Sequence, residues 1–429
     1  MRQWILLTAT IVFLYGNSVL PADEVLRVAD EITVDPNDWP WWRGPNRNGI
    51  AKSTPKPPIR WSDTENVIWK TAIAGKGHGS PIVLGNQVFL QTSDDAAETQ
   101  SVLCLDRKTG EQRWAKTVHK GGFPGGLHEK SSSANSTPAT DGERIFVNFM
   151  NHGAVFTTAL DRQGNQLWQK KVSIFQIQHG FSSSPSVYQG LVIVSADTKG
   201  RGQAVALDRK TGEFVWKRAR PYVANHASPV LLNADHRDQL ILVGSGFLSS
   251  VNPLTGKTLW ELKGSTNECV ASPITDGKHI FSSGGYPRSY VSATSADGSK
   301  QIVWENSSKV YVPSMILNDG YLYATLDAGV AMCWEAETGV ERWKHRIGGI
   351  FSSSLVIVGD TIYATDESGN TTLFAADPAK FQLIAENHLG QEVFATPAIC
   401  GGQIFHRVAF ISNGQRQEFL YCIAASGST

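Results

Sequence analysis

One short pattern recurs through this chain at a nearly constant interval: an acidic or amide residue opens a Gly-containing turn, and a Trp closes the strand that follows. Its copies read DRKTGEQRW (Asp106 to Trp114), DRQGNQLW (Asp161 to Trp168), DRKTGEFVW (Asp208 to Trp216), NPLTGKTLW (Asn252 to Trp260), ADGSKQIVW (Ala296 to Trp304) and EAETGVERW (Glu335 to Trp343). With Trp69 included, successive Trp residues lie 45, 54, 48, 44, 44 and 39 positions apart. That period is the length of one four-stranded propeller blade. Each unit also opens alike, with small residues and usually Pro before an apolar run, at Gly79, Ser136, Ser183, Ala227, Ala271, Val312, Ser352 and Ala395. Between opening and Trp come turn pairs such as Asp141-Gly142 and Asp276-Gly277, flanked by β-branched residues as hairpins require.

The two ends of the chain complement each other. The last unit ends at Leu420 to Ala424 without a closing Trp, whereas the strand around Val67 to Thr71 is a closing strand with no blade before it. Joined, they complete one blade and remove an open sheet edge. The expected fold is therefore all-β: an eight-bladed propeller of four-stranded antiparallel blades, closed by the N-terminal strand joining the last blade. Trp69, Trp114, Trp168, Trp216, Trp260, Trp304 and Trp343 are expected to be structural, packing between neighbouring blades. Small residues stand two positions before each acidic one: Cys104, Ala159, Ala206, Ser250, Cys333, Ala375 and Cys422. In the seventh unit Asp377 is followed by Pro378 and Ala385 replaces the Trp, so that blade should be the loosest.

Composition narrows the function. Lys+Arg and Asp+Glu both number 39, which argues against nucleic acid or an anionic membrane as the main partner. Arg2 followed by the apolar run Trp4 to Tyr15 has the layout of a secretory signal peptide, assigned to residues 1–22. The run is too short for a spanning helix, so no transmembrane segment is expected. The mature protein is expected to be exported, soluble and monomeric, periplasmic or secreted, with an N-terminal segment at 23–57 and the propeller at 58–429. Five Cys spread over more than 300 residues do not make a disulfide framework.

The pattern ALDRKTGEFVW at Ala206 to Trp216 resembles the PQQ-like β-propeller repeat, and the likeness runs over about residues 58–429. DWPWWRGPNRNGI (Asp38 to Ile50) resembles the leader of a group of exported bacterial PQQ-like proteins. Two functions are implied by this resemblance. Quinoprotein dehydrogenases hold pyrroloquinoline quinone and Ca²⁺ in the ring, with a vicinal Cys-Cys disulfide, a Glu/Asn pair on the metal and an Asp base. BamB-like assembly factors use the same ring as a non-catalytic scaffold. No two Cys are adjacent in this chain. The leading expectation is an exported, non-catalytic binding or scaffold propeller, with no cofactor and no metal. The alternative is a PQQ- or metal-dependent oxidoreductase, which would bring PQQ and calcium; the second alternative is a glycan-binding propeller.

No G-x-S-x-G, H-E-x-x-H, P-loop or EF-hand motif is present, so no catalytic residue is assigned. The linkers between each Trp and the next opening make up less than a quarter of the chain yet hold 7 of the 11 His. Such linkers run from outer to inner strand on one face, so His78, His128, His179 and His226 are expected to converge at a channel mouth. A polar ligand funnel, a metal site and ordinary polar loops all fit that distribution. The longest linker, Lys116 to Asn135, is expected to form a flap with His128 and Lys130 facing a protein partner or small polar ligand. Tyr286, Arg288 and Tyr311 flank other blade entries and complete the candidate ligand-binding set. Trp39, Trp41 and Trp42 either bury themselves as a plug or form an exposed aromatic platform.

Overall fold

The structure is a computed structural model that describes Ile32 and residues 34–425. The predicted signal peptide lies outside the described residues. Eight sheets follow one another along the chain, each read from inner to outer strand. The first blade comprises Ile82–Leu84, Gln87–Asp94, Thr99–Asp106 and Gln112–Lys120, and the pattern repeats through the seventh. The eighth takes its outermost strand, Val67–Ile73, from the N-terminal side, antiparallel to Gln415–Ile423 with Trp69 opposite Cys422. The propeller is closed by the strand the sequence singled out. Among the described residues no helix is long and apolar enough to cross a membrane.

The turn-and-Trp pattern has a packing cause. In each repeat-type blade the closing Trp stands opposite a small residue of the adjacent strand, as in Trp114 with Cys104 and Trp216 with Ala206. The small partner leaves room for the indole, and a register shift follows immediately. The ring then leans onto the turn of the next blade. Gly212, at φ +73°, lies so close to Trp168 that a Cβ would sit 2.6 Å from the ring, so only Gly fits the turn. The Trp168 indole N–H donates to the Arg209 carbonyl of that turn at 3.1 Å, and Trp216 does the same to Pro253 at 2.9 Å.

The seventh blade solves the missing Trp differently. Ala385 faces Leu373, a swap of large and small across the same strand pair, and Ala375 does not occupy that position. Trp61, which precedes the closing strand, is buried against this blade and stacks on Tyr363 with ring centroids 6.2 Å apart. Its backbone N–H donates to Asn387 at 2.9 Å. The expectation of a loose blade overlooked this residue, which supplies from outside the repeat the ring that the repeat lacks.

The openings line the axis. Their hydroxyls encircle it, and six of the eight blade junctions carry the same bond: the N–H of Ser80 donates to Thr137, Thr137 to Ser184, Ser184 to Ser228, Ser272 to Ser314, Ser314 to Ser354 and Ser354 to Thr396, all at 2.9 or 3.0 Å. Each bond ties one blade to the next. The Ser272 hydroxyl accepts the indole N–H of Trp42 at 2.8 Å.

Trp42 belongs to a segment that crosses one end of the axis. Trp39 bridges Val83, the Pro40 carbonyl accepts from Thr140, and Ile50–Ala51 adds a short parallel strand to the seventh blade. Arg43 donates to the Met315 carbonyl at 2.6 Å and to Asn48 at 2.7 Å, and burial lowers its guanidinium to about 9. Arg47 donates to the Val187 carbonyl at 2.6 Å while covering the Trp41 ring at 4.0 Å. Trp39 is 1% exposed and Trp41 5% exposed, and Trp42 is half-buried with its indole N–H on Ser272, so the three do not form an exposed platform. The segment is a plug: it buries Trp39 and Trp41 and makes hydrogen bonds to six different blades, while the Trp41 indole N–H and two Arg43 guanidinium nitrogens stay buried without a partner among the described residues.

Candidate functional site

The other end of the axis is open. A cavity of about 620 Å³ occupies it and narrows toward a space of about 190 Å³ whose walls reach down to Trp42. The lining follows a register rule. In strands and extended entries, residues two apart face the same way. Two positions before the opening hydroxyls stand His78, Asn135, Ser182, His226, Val270, Val312, Ser352 and Phe394, one from each blade junction. All eight line the narrow space, directly above the hydroxyl ring. One side of this second ring is polar and the rest is mostly apolar.

The structure brings most of the predicted residues to this mouth. His128, Lys130, His179, His226, Tyr286 and Tyr311 line the wide cavity, and His78 lines the narrow space together with Lys130 and His226. The rings of His128 and His179 are 5.5 Å apart by centroid, and those of His179 and His226 are 6.1 Å apart. The backbone fixes this row: the His128 N–H donates to the His179 carbonyl, and the His226 N–H donates to the Cys269 carbonyl, both at 3.1 Å. His78 stacks on Phe394 at 4.3 Å. Arg288 is not part of the mouth. Its guanidinium is drawn to Glu305 at 3.0 Å and to the Gly264 carbonyl, and it lies over the Tyr290 ring.

The flap begins later than expected, because Lys116 to Lys120 continue the outer strand Gln112–Lys120. The remaining part reaches across the mouth, where Lys130 Nζ meets Glu367 of the seventh blade at 2.7 Å. Glu367 also accepts from Ser352 at 2.6 Å.

Burial sets the electrostatics. It lowers His226 to about 4, against an opposing pull from Glu268, and it holds His78 well below the usual imidazole range with help from Lys76 and Arg407. Both rings are therefore neutral at neutral pH, and the Nε2 atoms of both are buried without a partner among the described residues. They bring no charge to the mouth, and their Nε2 atoms are shut away from its open space. Burial and the neighbouring Glu268 push the Tyr311 phenol up.

Glu268 was absent from the sequence reading. It is 7% exposed and lines the wide cavity, where Oε1 accepts from Gln178 at 2.7 Å and Oε2 from the Tyr311 hydroxyl at 3.1 Å. The available signal was its offset of four from the Ser272 opening, which places it two above Val270 on the same side of the entry.

The donor set does not suit a calcium–quinone centre. Calcium takes six to eight oxygens, whereas Glu268 is the sole carboxylate lining the wide cavity among the described residues and already serves two donors. The five Cys are separate, buried free thiols, each pushed up by burial, as Cys269 is to about 11. Among the described residues no three His, Cys, Asp or Glu side chains gather as a metal-holding group.

An eight-bladed ring with this repeat, sealed at one end and open at the other, is a propeller of the PQQ type. The family model described as outer membrane protein assembly factor BamB matches residues 59–176 and 98–345, and the chain belongs to that family. It is 24% identical over 380 residues to outer membrane protein assembly factor BamB of Burkholderia pseudomallei (strain K96243), covering 82% of this chain and 89% of the relative. The crystal structure of BamB from Moraxella catarrhalis superposes with a TM-score of 0.59 at 13% identity, covering 83% of this chain and 99% of the other. The quinohemoprotein alcohol dehydrogenase from Comamonas testosteroni gives a TM-score of 0.66 at 13% identity, covering 94% and 82%. At such identities the likeness to the solved structures is one of fold.

Proposed function

We propose that this chain is an exported, non-catalytic binding propeller, periplasmic or secreted and monomeric, that holds a protein segment or small polar ligand at the open mouth. One observation carries the reading: the axis is sealed by Trp42 and its neighbours at one end, while the other holds an open cavity of about 620 Å³ lined by His128, His179, Glu268, Tyr286 and Tyr311. A concave site with a few convergent polar groups is the usual form of a binding site. Membership of the BamB family supports a scaffold role, and the mismatch with calcium coordination speaks against quinone chemistry. The test is reconstitution with pyrroloquinoline quinone and Ca²⁺, read by bound-cofactor absorbance and dye-linked oxidation of alcohols and sugars. Neither signal is expected. Turnover would replace this reading with an oxidoreductase.

A further inference from the structure

Three charged groups line the wide cavity: Lys130, which pairs with Glu367 at 2.7 Å, Lys309, and Glu268, the sole carboxylate there among the described residues. Both its oxygens accept, one from the Gln178 amide and one from the Tyr311 hydroxyl, which is the bonding pattern of a carboxylate; among the described residues these partners are neutral.

The side chain is held firmly in place. The Glu268 N–H donates to the Tyr286 carbonyl at 3.1 Å, and Thr266 Oγ1 hydrogen-bonds the same carbonyl. The Tyr311 ring lies directly on Gly285, where any Cβ would collide with it. Tyr286, 57% exposed, stands on the rim of the same cavity. A buried carboxylate with neutral partners is costly unless a cation comes to it.

We infer that Glu268, framed by Tyr286 and Tyr311, is the receptor for an organic cation, an ammonium or guanidinium group, entering the mouth. The inference rests on the reading of the mouth as the binding end and adds the chemistry of its ligand. The carboxylate accepts charge-assisted hydrogen bonds from the cation, and Tyr286 and Tyr311 line the same cavity beside it. The same group arrives either on a small amine or on a Lys or Arg side chain of a partner.

The probes are agmatine, a Gly-Lys-Gly peptide with blocked ends, and glutarate as an anion of similar length, each titrated into the mature chain while the His179 and His226 ring signals are followed by NMR. Agmatine is expected to move both signals saturably, and Glu268→Gln, which preserves shape and hydrogen-bonding capacity, to weaken it about tenfold or more, as loss of a charged acceptor does. Tyr311→Phe should weaken it less. Binding of the peptide as tightly as agmatine assigns the cation to a protein segment; binding of agmatine alone assigns it to a small amine. Unmoved signals with agmatine, or equal affinity in Glu268→Gln, would overturn the inference. A shift with glutarate but not agmatine would leave the mouth as the binding end and remove Glu268 from it, whereas quinone-dependent turnover would remove the binding reading itself.

Discussion

The two ends of the axis are built from the same repeat and finished in opposite ways. At the sealed end Trp39 and Trp41 are buried, and Arg43, Arg47 and Trp42 spend their hydrogen bonds on carbonyls and a hydroxyl of the surrounding blades. At the open end His78 and His226 keep ring nitrogens without partners, and Glu268 faces a cavity. The ends differ in apolar cover and in space: the sealed end buries its Trp rings against the blades, although among the described residues Trp41 and Arg43 also keep unpartnered nitrogens, whereas the open end leaves a cavity that a ligand can enter. The ring of Ser and Thr hydroxyls between them holds the blades in register, so a ligand can meet a rigid lining.

The contrast is broken most severely by Trp39→Ala, which should cost about 3–5 kcal/mol in denaturant unfolding, whereas Tyr286→Ala at the open rim should stay within about 0.5 kcal/mol. Equal costs would erase the distinction. Trp61→Ala should cost about 3 kcal/mol, because Ala385 leaves the seventh blade no other large ring at that position; a melting temperature like that of the parent would mean the blade holds itself together.

Acid sharpens the comparison at the mouth. His226 is held at about 4, below its ordinary 6.5, so its contribution to stability is complete above about pH 6.5 and is lost as the pH falls through 4. His226→Gln should therefore flatten the fall of melting temperature between those values, and an unaltered slope would place the ring in water. The smallest effect belongs to Lys130→Ala. Its half-exposed pair with Glu367 is worth less than about 1 kcal/mol, yet its loss should speed limited proteolysis within residues 121–131. Unchanged cleavage would mean the pair does not fasten the flap.

The fold was legible because its cause is periodic. A Trp, a small partner and a turn Gly recur for the same steric reason in blade after blade, and Trp69 with Cys422 completes the series across the chain ends. The mouth was legible only in part. His78 and His226 were found through their abundance in linkers, but the rule that unites them with Asn135, Ser182 and Phe394 is a fixed offset from the opening hydroxyl, and it requires those hydroxyls to be recognised as ring members. Glu268 was hidden because its importance comes from Tyr311 and Gln178, distant in sequence. Arg288 was misplaced because Glu305 sits on the adjacent outer strand, a pairing that register decides. Trp61 lay outside the repeat, where no period points to it.

Hydrogen exchange of the protein with and without agmatine tests the assignment of the two ends together. Residues 38–51 are predicted to exchange slowly and identically in both states, with new protection at 121–135, 176–182 and 266–271 when agmatine is present. Rapid exchange within 38–51, or ligand protection appearing there and not at the upper linkers, would contradict the account.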